Sequence, residues 1–313
     1  MGASSPLLIG ARGSPLSLAQ TGHVADRLRA ANPDLAFEIV PIVTSGDRIR
    51  DRPLSEAGGK GLFTKELDEA LLDGRVDLAV HSMKDLPTVL PDGVVLACVP
   101  ERETPLDALI TASAVKSLHD LPKGARIGTA SLRRQAQLLA LRPDFVISML
   151  RGNVETRLEK VRSGQFDATL LALAGLKRLG LVTDAFAPIS PDDCLPAAGQ
   201  GALAVTARAG DGQTIERLLR IDDAAARIEI AAERAFLGAL DGSCRTPIAA
   251  NARWSGGSLL FAGEALSLDG LRRWRRSETL ADVDEAAAAA CGARLGAALR
   301  AEAGADFPVV AAS

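Results

Sequence analysis

The sequence predicts an α/β protein: two wound α/β domains followed by a smaller α+β C-terminal domain. Three observations carry this. Short apolar runs alternate with segments of helical period, first over residues 7–99 and again over residues 107–173 of the 313-residue chain. A Pro/Gly/Ala-rich crossing at 194–201 then leads into one more strand-like run. Beyond it, strand-like stretches sit between two long helical segments, the pattern of an α+β unit.

Residues 7–10 read as a short buried strand. Ser14 then caps a helix with Pro15 in its first turn, a favourable start because the proline lacks an N–H that would be unpaired there anyway. Residues 37–43 are the next strand. Residues 62–72 have Leu62, Phe63, Leu67, Ala70 and Leu71 at helical spacing, and Gly74 stops the helix. Strands at 77–83 and 94–99 complete the first pattern. The second pattern has strands at 107–111, 125–128, 144–150 and 166–173, with helices at 131–141 and 153–161. At 202–207 the chain is expected to return to the first sheet. A helix at 224–240, strands at 248–254, 259–266 and 271–280, and an alanine-rich helix at about 283–303 close the chain. The expected domains are 1–101 with 202–220, then 106–195, then 222–313. Hinges are expected near 101–106 and 195–201.

Composition narrows the function. Hydrophobic residues make up 47% and charged residues 24%, ordinary for a globular enzyme, and the formal charge is −3. An acidic chain with 3% aromatics and no Tyr offers neither a basic face nor a stacking platform for nucleic acid. The four cysteines, Cys98, Cys194, Cys244 and Cys291, are far apart, and the three histidines are scattered, so no zinc spacing is legible. The cysteines read as reduced thiols of a cytoplasmic protein. No signal peptide or apolar run long enough to span a membrane is visible, and no metal is expected.

The chemistry-bearing residues gather at corners where strands end and helices begin. Arg12 lies in the corner 10–15, Arg133 and Arg134 in 128–135, and Arg151 and Arg157 in 150–157. Helix N-termini attract anions through free N–H groups, and arginine adds a planar fork that grips carboxylate or phosphate. Three such corners suggest a ligand with several negative charges. Arg133 and Arg134 point about 100° apart on a helix. They could hold two different carboxylates, or one could face a ligand and the other solvent. In the run Val80-His81-Ser82-Met83-Lys84-Asp85-Leu86-Pro87, a strand ends in a corner with a cation and a carboxylate. Strand carboxyl ends are where open α/β sheets bind ligands. Asp85 is either a general acid/base or counter-ion to a cationic intermediate, or a surface ion-pair partner of Lys84.

Weaker signals are set beside these. Gly58-Gly59-Lys60-Gly61 lacks the order of a phosphate loop, and Gly199-Gln200-Gly201 lacks the third glycine of a dinucleotide fingerprint. Cys244, in the corner 241–247 beside Arg245, is either an exposed, readily ionised thiol or a small core residue. Cys98 lies in an apolar run and is expected in the core.

Together these segments resemble the porphobilinogen deaminase family, also called hydroxymethylbilane synthases. The matching pieces are ARGSPLSLAQ at 11–20, GGKGLFTKEL at 58–67, AVHSMKDLP at 79–87, GTASLRRQ at 128–135, LRGNVETRL at 150–158, LALAGLKRLG at 171–180, LPAAGQGALA at 195–204 and DGSCRTPIAA at 241–250. They occur in family order. The resemblance implies three domains, the first two like a type II periplasmic binding protein. It implies one dipyrromethane cofactor per chain, tethered by a thioether, and Cys244 falls on the attachment position. Asp85 falls on the catalytic carboxylate. Ser14, Lys84, Arg133 and Arg134 fall on cofactor-binding positions, Arg12, Arg151, Arg157 and Arg178 on substrate-binding ones, and Lys60 in a mobile loop. Two departures are visible: Ser243 where relatives often have glycine, and Glu56 where some have lysine.

The implied reaction condenses four porphobilinogen molecules head to tail with loss of ammonia, then releases the linear tetrapyrrole with water. Each ring brings two carboxylates, so the full chain on its primer would present about a dozen. Clustered guanidiniums answer that charge, and a carboxylate would stabilise the azafulvene cation left by ammonia. The implied enzyme is a cytoplasmic monomer acting on porphobilinogen. A non-catalytic anionic-solute-binding protein of the same two-lobed fold is the alternative, and a transcription regulator's effector domain a more distant one.

Overall fold

The computed structural model describes residues 6–48, 61–113, 115–242 and 246–307. The chain divides into two compact units, one of residues 1–103 with 202–227 and the other of 104–201 with 228–313.

In the first unit, β1 (Leu7–Arg12) leads into α1 (Pro15–Ala31), then β2 (Phe37–Ile42), the short α2 (Ser45–Arg48), α3 (Lys65–Leu72), β3 (Leu78–Ser82) and β4 (Val94–Cys98). In the second, β5 (Asp107–Thr111), β6 (Arg126–Gly128), α4 (Leu132–Leu141), β7 (Val146–Ser148), α5 (Val154–Arg162), β8 (Ala168–Ala172), α6 (Leu173–Arg178) and β9 (Ala187–Pro188) follow. The chain then returns to the first unit as β10 (Leu203–Arg208) and α7 (Gly212–Leu219). It closes with α8 (Ala224–Ala239), β11 (Ile248–Ser255), β12 (Ser258–Leu266), β13 (Arg273–Ala281) and α9 (Glu285–Ala303).

The two wound sheets share one strand order. The first runs β2-β1-β3-β10-β4 and the second β7-β6-β8-β5-β9. In each, three strands are parallel and the fourth in the order is antiparallel to its neighbours. The antiparallel strand of the first sheet is β10, which arrives after the second sheet is complete. The return expected at 202 is therefore real. Both faces of the first sheet are covered. Ile9, Val24, Leu28, Leu78, Val80 and Val205 pack on the α1 side, and Leu67, Leu71, Val76 and Ala79 on the α3 side. Burial on both faces explains why these strands read as continuous apolar runs.

The C-terminal sheet is an antiparallel meander, β11-β12-β13, cored by Phe236, Leu259, Phe261, Leu295 and Leu299. Gly292 permits the close approach of its two helices, since a Cβ there would lie 2.1 Å from the Ala232 carbonyl oxygen. Cys98 is fully buried in the first core, as the apolar run around it implied.

Two differences from the sequence reading have clear causes. The helix predicted from residue 62 begins at Lys65, because 61–64 form a turn in which Gly61 takes φ +84°. The strand predicted to end at 173 stops at Ala172, and α6 follows at once. Leu173, Ala174, Gly175 and Leu176 are all buried, so α6 begins without the polar face that marks helical periodicity.

Candidate functional site

In the first unit, β1 and β3 are parallel neighbours with Gly10 beside Ala79, so both strands end at the same edge. That edge holds a cavity lined by Arg12, Ser14, His81, Lys84 and Asp85, with Phe63 from the turn before α3. Ser14 caps α1, its Oγ accepting from Ser17 N–H at 3.3 Å. Arg12 donates to both oxygens of Asp47, Nη2 to Oδ1 at 2.5 Å and Nε to Oδ2 at 3.3 Å, and lies 4.0 Å from the centre of the Phe63 ring. Burial acts to raise the Asp47 pKa, but the Arg12 guanidinium and the Thr44 hydroxyl outweigh it and hold the carboxyl below its ordinary value.

Lys84 and Asp85 lie in a single 3₁₀ turn, Met83–Asp85, directly after β3. The Asp85 carboxylate makes no ion pair or hydrogen bond among the described residues, Lys84 included. It is half-buried and borders the cavity. His81 is buried beside it, with Nε2 3.0 Å from Thr206 Oγ1 on β10. Burial, helped by the Arg12 charge, pushes its pKa down to about 4, so the ring is neutral at pH 7.

In the second unit the arginine corners take an arrangement the sequence did not suggest. Arg133 and Arg134, expected to hold two different carboxylates or to divide between ligand and solvent, share one protein carboxylate. Both reach back to Asp107 at the start of β5, which accepts Arg133 Nη2 and Arg134 Nη2 at 2.7 Å each, Arg134 Nε at 3.2 Å and Gln200 Nε2 at 2.8 Å. Two long side chains a third of a turn apart can still converge, because their methylene stems span that difference. Arg133 Nη1 also donates to the Leu195 carbonyl oxygen at 2.6 Å. Asp107 is fully buried, and the two arginines are 5% and 6% exposed. Burial acts to raise the Asp107 pKa, but the two guanidiniums hold it far below the ordinary range. One carboxylate against two guanidiniums leaves one positive charge uncompensated within this group.

Arg151 and Arg157 border the same cationic region. Arg157 is half-buried, and its Nε donates to the Gly152 carbonyl oxygen at 2.9 Å. Burial, then the neighbouring Arg134 and Arg151 charges, push its pKa down to about 10. Arg178, in the last turn of α6, donates to the Gly201 carbonyl oxygen at 2.7 Å.

The helix N-termini at these corners are partly occupied by their own caps, Ser131 accepting from Arg134 N–H and Asn153 from Thr156 N–H. Lys60 and Cys244 lie outside the described residues. The sequence reading missed Asp47, Asp107 and Gln200. A carboxylate opening an otherwise apolar strand was the available signal for Asp107.

Two family descriptions match the chain in succession: "Porphobilinogen deaminase, dipyromethane cofactor binding domain" over residues 7–216 and "Porphobilinogen deaminase, C-terminal domain" over 227–301. The chain belongs to the porphobilinogen deaminase family. Family members named porphobilinogen deaminase include one from Caulobacter sp. (strain K31), 54% identical over 96% of both chains. Another, from Caulobacter vibrioides, is 52% identical over 97% of this chain and 98% of the relative. A third, from Nitrobacter hamburgensis, is 50% identical over 96% and 94%. Among solved structures, a substrate-binding domain of a putative amino acid ABC transporter from Streptococcus pneumoniae aligns over 68% of this chain and 90% of its own, at 13% identity and a TM-score of 0.43.

The family's cofactor is dipyrromethane. The cationic excess around Asp107, and the lowered Arg157 pKa, fit a group that carries carboxylates. No cluster able to hold a metal ion occurs among the described residues, and no described helix is long and apolar enough to cross a membrane.

Proposed function

We propose that the chain is a hydroxymethylbilane synthase, a transferase that condenses four porphobilinogen molecules with loss of ammonia and releases the linear tetrapyrrole. The observation that carries this reading is the shortage of carboxylates, among the described residues, around Arg133, Arg134 and Arg157. Two buried guanidiniums share one aspartate, and a third arginine has its pKa lowered by burial and like charge. Such a site is incomplete without an anion, and a ligand with acetate and propionate side chains supplies several. The solute-binding alternative is not favoured, since relatives at 50–54% identity over nearly the whole chain are deaminases.

Dipyrromethane, when bound, supplies a tethered pyrrole whose free α-carbon accepts the first substrate unit. Cys244, in the third domain, is the proposed tether, with Ser14, Lys84, Arg133 and Arg134 holding the cofactor's side chains. Arg12, Arg151, Arg157 and Arg178 hold substrate carboxylates, and Lys60 is the further lysine that the family resemblance adds. Asp85 is the proposed catalytic carboxylate. Among the described residues no cation is paired to it, so its carboxylate is available to a cation developing on the substrate as ammonia leaves. A carboxylate already committed to an arginine, as Asp47 is, could not serve this way.

The reading includes a cytoplasmic monomer. Its test is incubation of the cofactor-loaded chain with porphobilinogen. Ammonia and linear tetrapyrrole should appear in a ratio of four to one by the proposed stoichiometry, and binding without ammonia release would return the chain to the solute-binding reading.

A further inference from the structure

The proton on His81 can be placed from the hydroxyl behind it. Thr206 is fully buried on β10, and its Oγ1 lies 3.0 Å from His81 Nε2. That nitrogen is the only hydrogen-bond partner of the hydroxyl among the described residues. Leaving a buried hydroxyl without an acceptor is costly, so Thr206 donates and Nε2 accepts. A neutral imidazole whose Nε2 accepts carries its proton on Nδ1. Burial and the Arg12 charge keep the ring neutral.

Nδ1 has no hydrogen-bond partner among the described residues, and His81 lines the cavity that presents Arg12, Ser14, Lys84 and Asp85. We infer that His81 is a substrate-positioning residue whose Nδ1–H donates into this cavity, to a carboxylate oxygen of the substrate. The inference rests on the substrate reading above. A neutral donor suits the place. An imidazolium would bind the same oxygen, but its charge would oppose the stabilising field of Asp85. A neutral N–H orients the substrate and leaves that field intact. Thr206 thus acts at one remove, by fixing the tautomer.

Two variants separate this role from simple packing. In His81→Asn the side-chain amide occupies the place of Nδ1 and keeps a donor toward the cavity. In His81→Gln the amide reaches the place of Nε2 and keeps the Thr206 contact instead. The expected result is that His81→Gln loses about three- to tenfold in kcat/KM for porphobilinogen, mainly through KM, while His81→Asn loses less. A role limited to the Thr206 contact gives the reverse order, and that order overturns the inference.

The second readout needs no turnover. In the full-length, ¹⁵N-histidine-labelled protein at neutral pH, His81 should show the Nδ1–H tautomer, and its Nδ1 resonance should shift on addition of porphobilinogen. An Nε2–H tautomer, an imidazolium, or a resonance that ignores porphobilinogen while tetrapyrrole is formed overturns the inference. Failure of the function reading is distinct, because it would show as no tetrapyrrole from the unaltered chain while the tautomer stood as assigned.

Discussion

Asp85 lies just past the end of β3 and Asp107 opens β5, and their surroundings give the two aspartates opposite uses. Asp107 is enclosed by two guanidiniums and an amide, and its charge is spent inside the protein. Asp85 borders a cavity, with no ion pair among the described residues. Asp85→Asn keeps size and hydrogen bonding but removes the charge. Turnover should fall about 10²–10³-fold while substrate affinity changes little, the mark of a contact made mainly in the transition state. Steady-state turnover and affinity on enzyme already loaded with cofactor check this, and near-normal turnover would pass the role elsewhere. Asp107→Asn leaves two buried guanidiniums facing an uncharged amide. It should destabilise the chain by about 3–5 kcal/mol, read as a lower urea midpoint, because an uncompensated buried charge is costlier than a missing pair.

At the scale of elements, α5 shows how local chemistry aims a functional side chain. Asn153 caps the helix, its Oδ1 accepting from Thr156 N–H at 2.8 Å. Arg157 sits one turn on, anchored to the Gly152 carbonyl oxygen. Asn153→Ala should cost about 1 kcal/mol of stability. It should also loosen the turn that sets Arg157, so a rise in KM for porphobilinogen should accompany the small loss in urea midpoint. An unchanged KM would mean that Arg157 is placed by tertiary packing alone.

For the molecule as a whole, the pH dependence of stability combines opposed contributions. Asp68 on α3 is 5% exposed, and burial raises its pKa from 3.8 to about 6. A carboxyl with a raised folded pKa stabilises fully below its unfolded value and loses that contribution as pH rises through the folded one. The loss should run from about pH 4 to about pH 6 and amount to roughly 2–3 kcal/mol. Asp107 acts in the opposite sense. Its folded pKa is lowered, so its contribution is present above the unfolded value and fades as pH falls into strong acid. His81, with its folded pKa lowered to about 4, loses stability as pH falls from about 6.5 to 4 and so opposes Asp68 in the same window. Asp68→Asn should therefore leave the His81 contribution unopposed, so that stability rises more steeply with pH between about 4 and 6 with the acid limb unchanged, as urea unfolding across pH would show. Cys244→Ser should give a chain of unmodified intact mass and no activity. A normal covalent adduct on that variant would move the tether to another residue.

The elements that sequence periodicity placed well are those whose signal is local. β5 was read at its observed bounds because an apolar run between polar turns has few other solutions, and Ser14 with Pro15 marked the start of α1 through capping alone. The eight motifs fixed the family, because their order along the chain is itself sequence information. The pairing inside the sites was a different matter. Nothing in 128–135 tells that Arg133 and Arg134 both turn to Asp107, more than twenty residues earlier, since that depends on how α4 lies against β5. The bond from His81 to Thr206 spans 125 residues and exists because β10 returns beside β3. Sequence by itself determined which residue types were available at each strand end. Tertiary structure alone decided which charges are cancelled within the protein and which remain, because partnership between charges is set by distances of a few ångströms that chain separation does not encode.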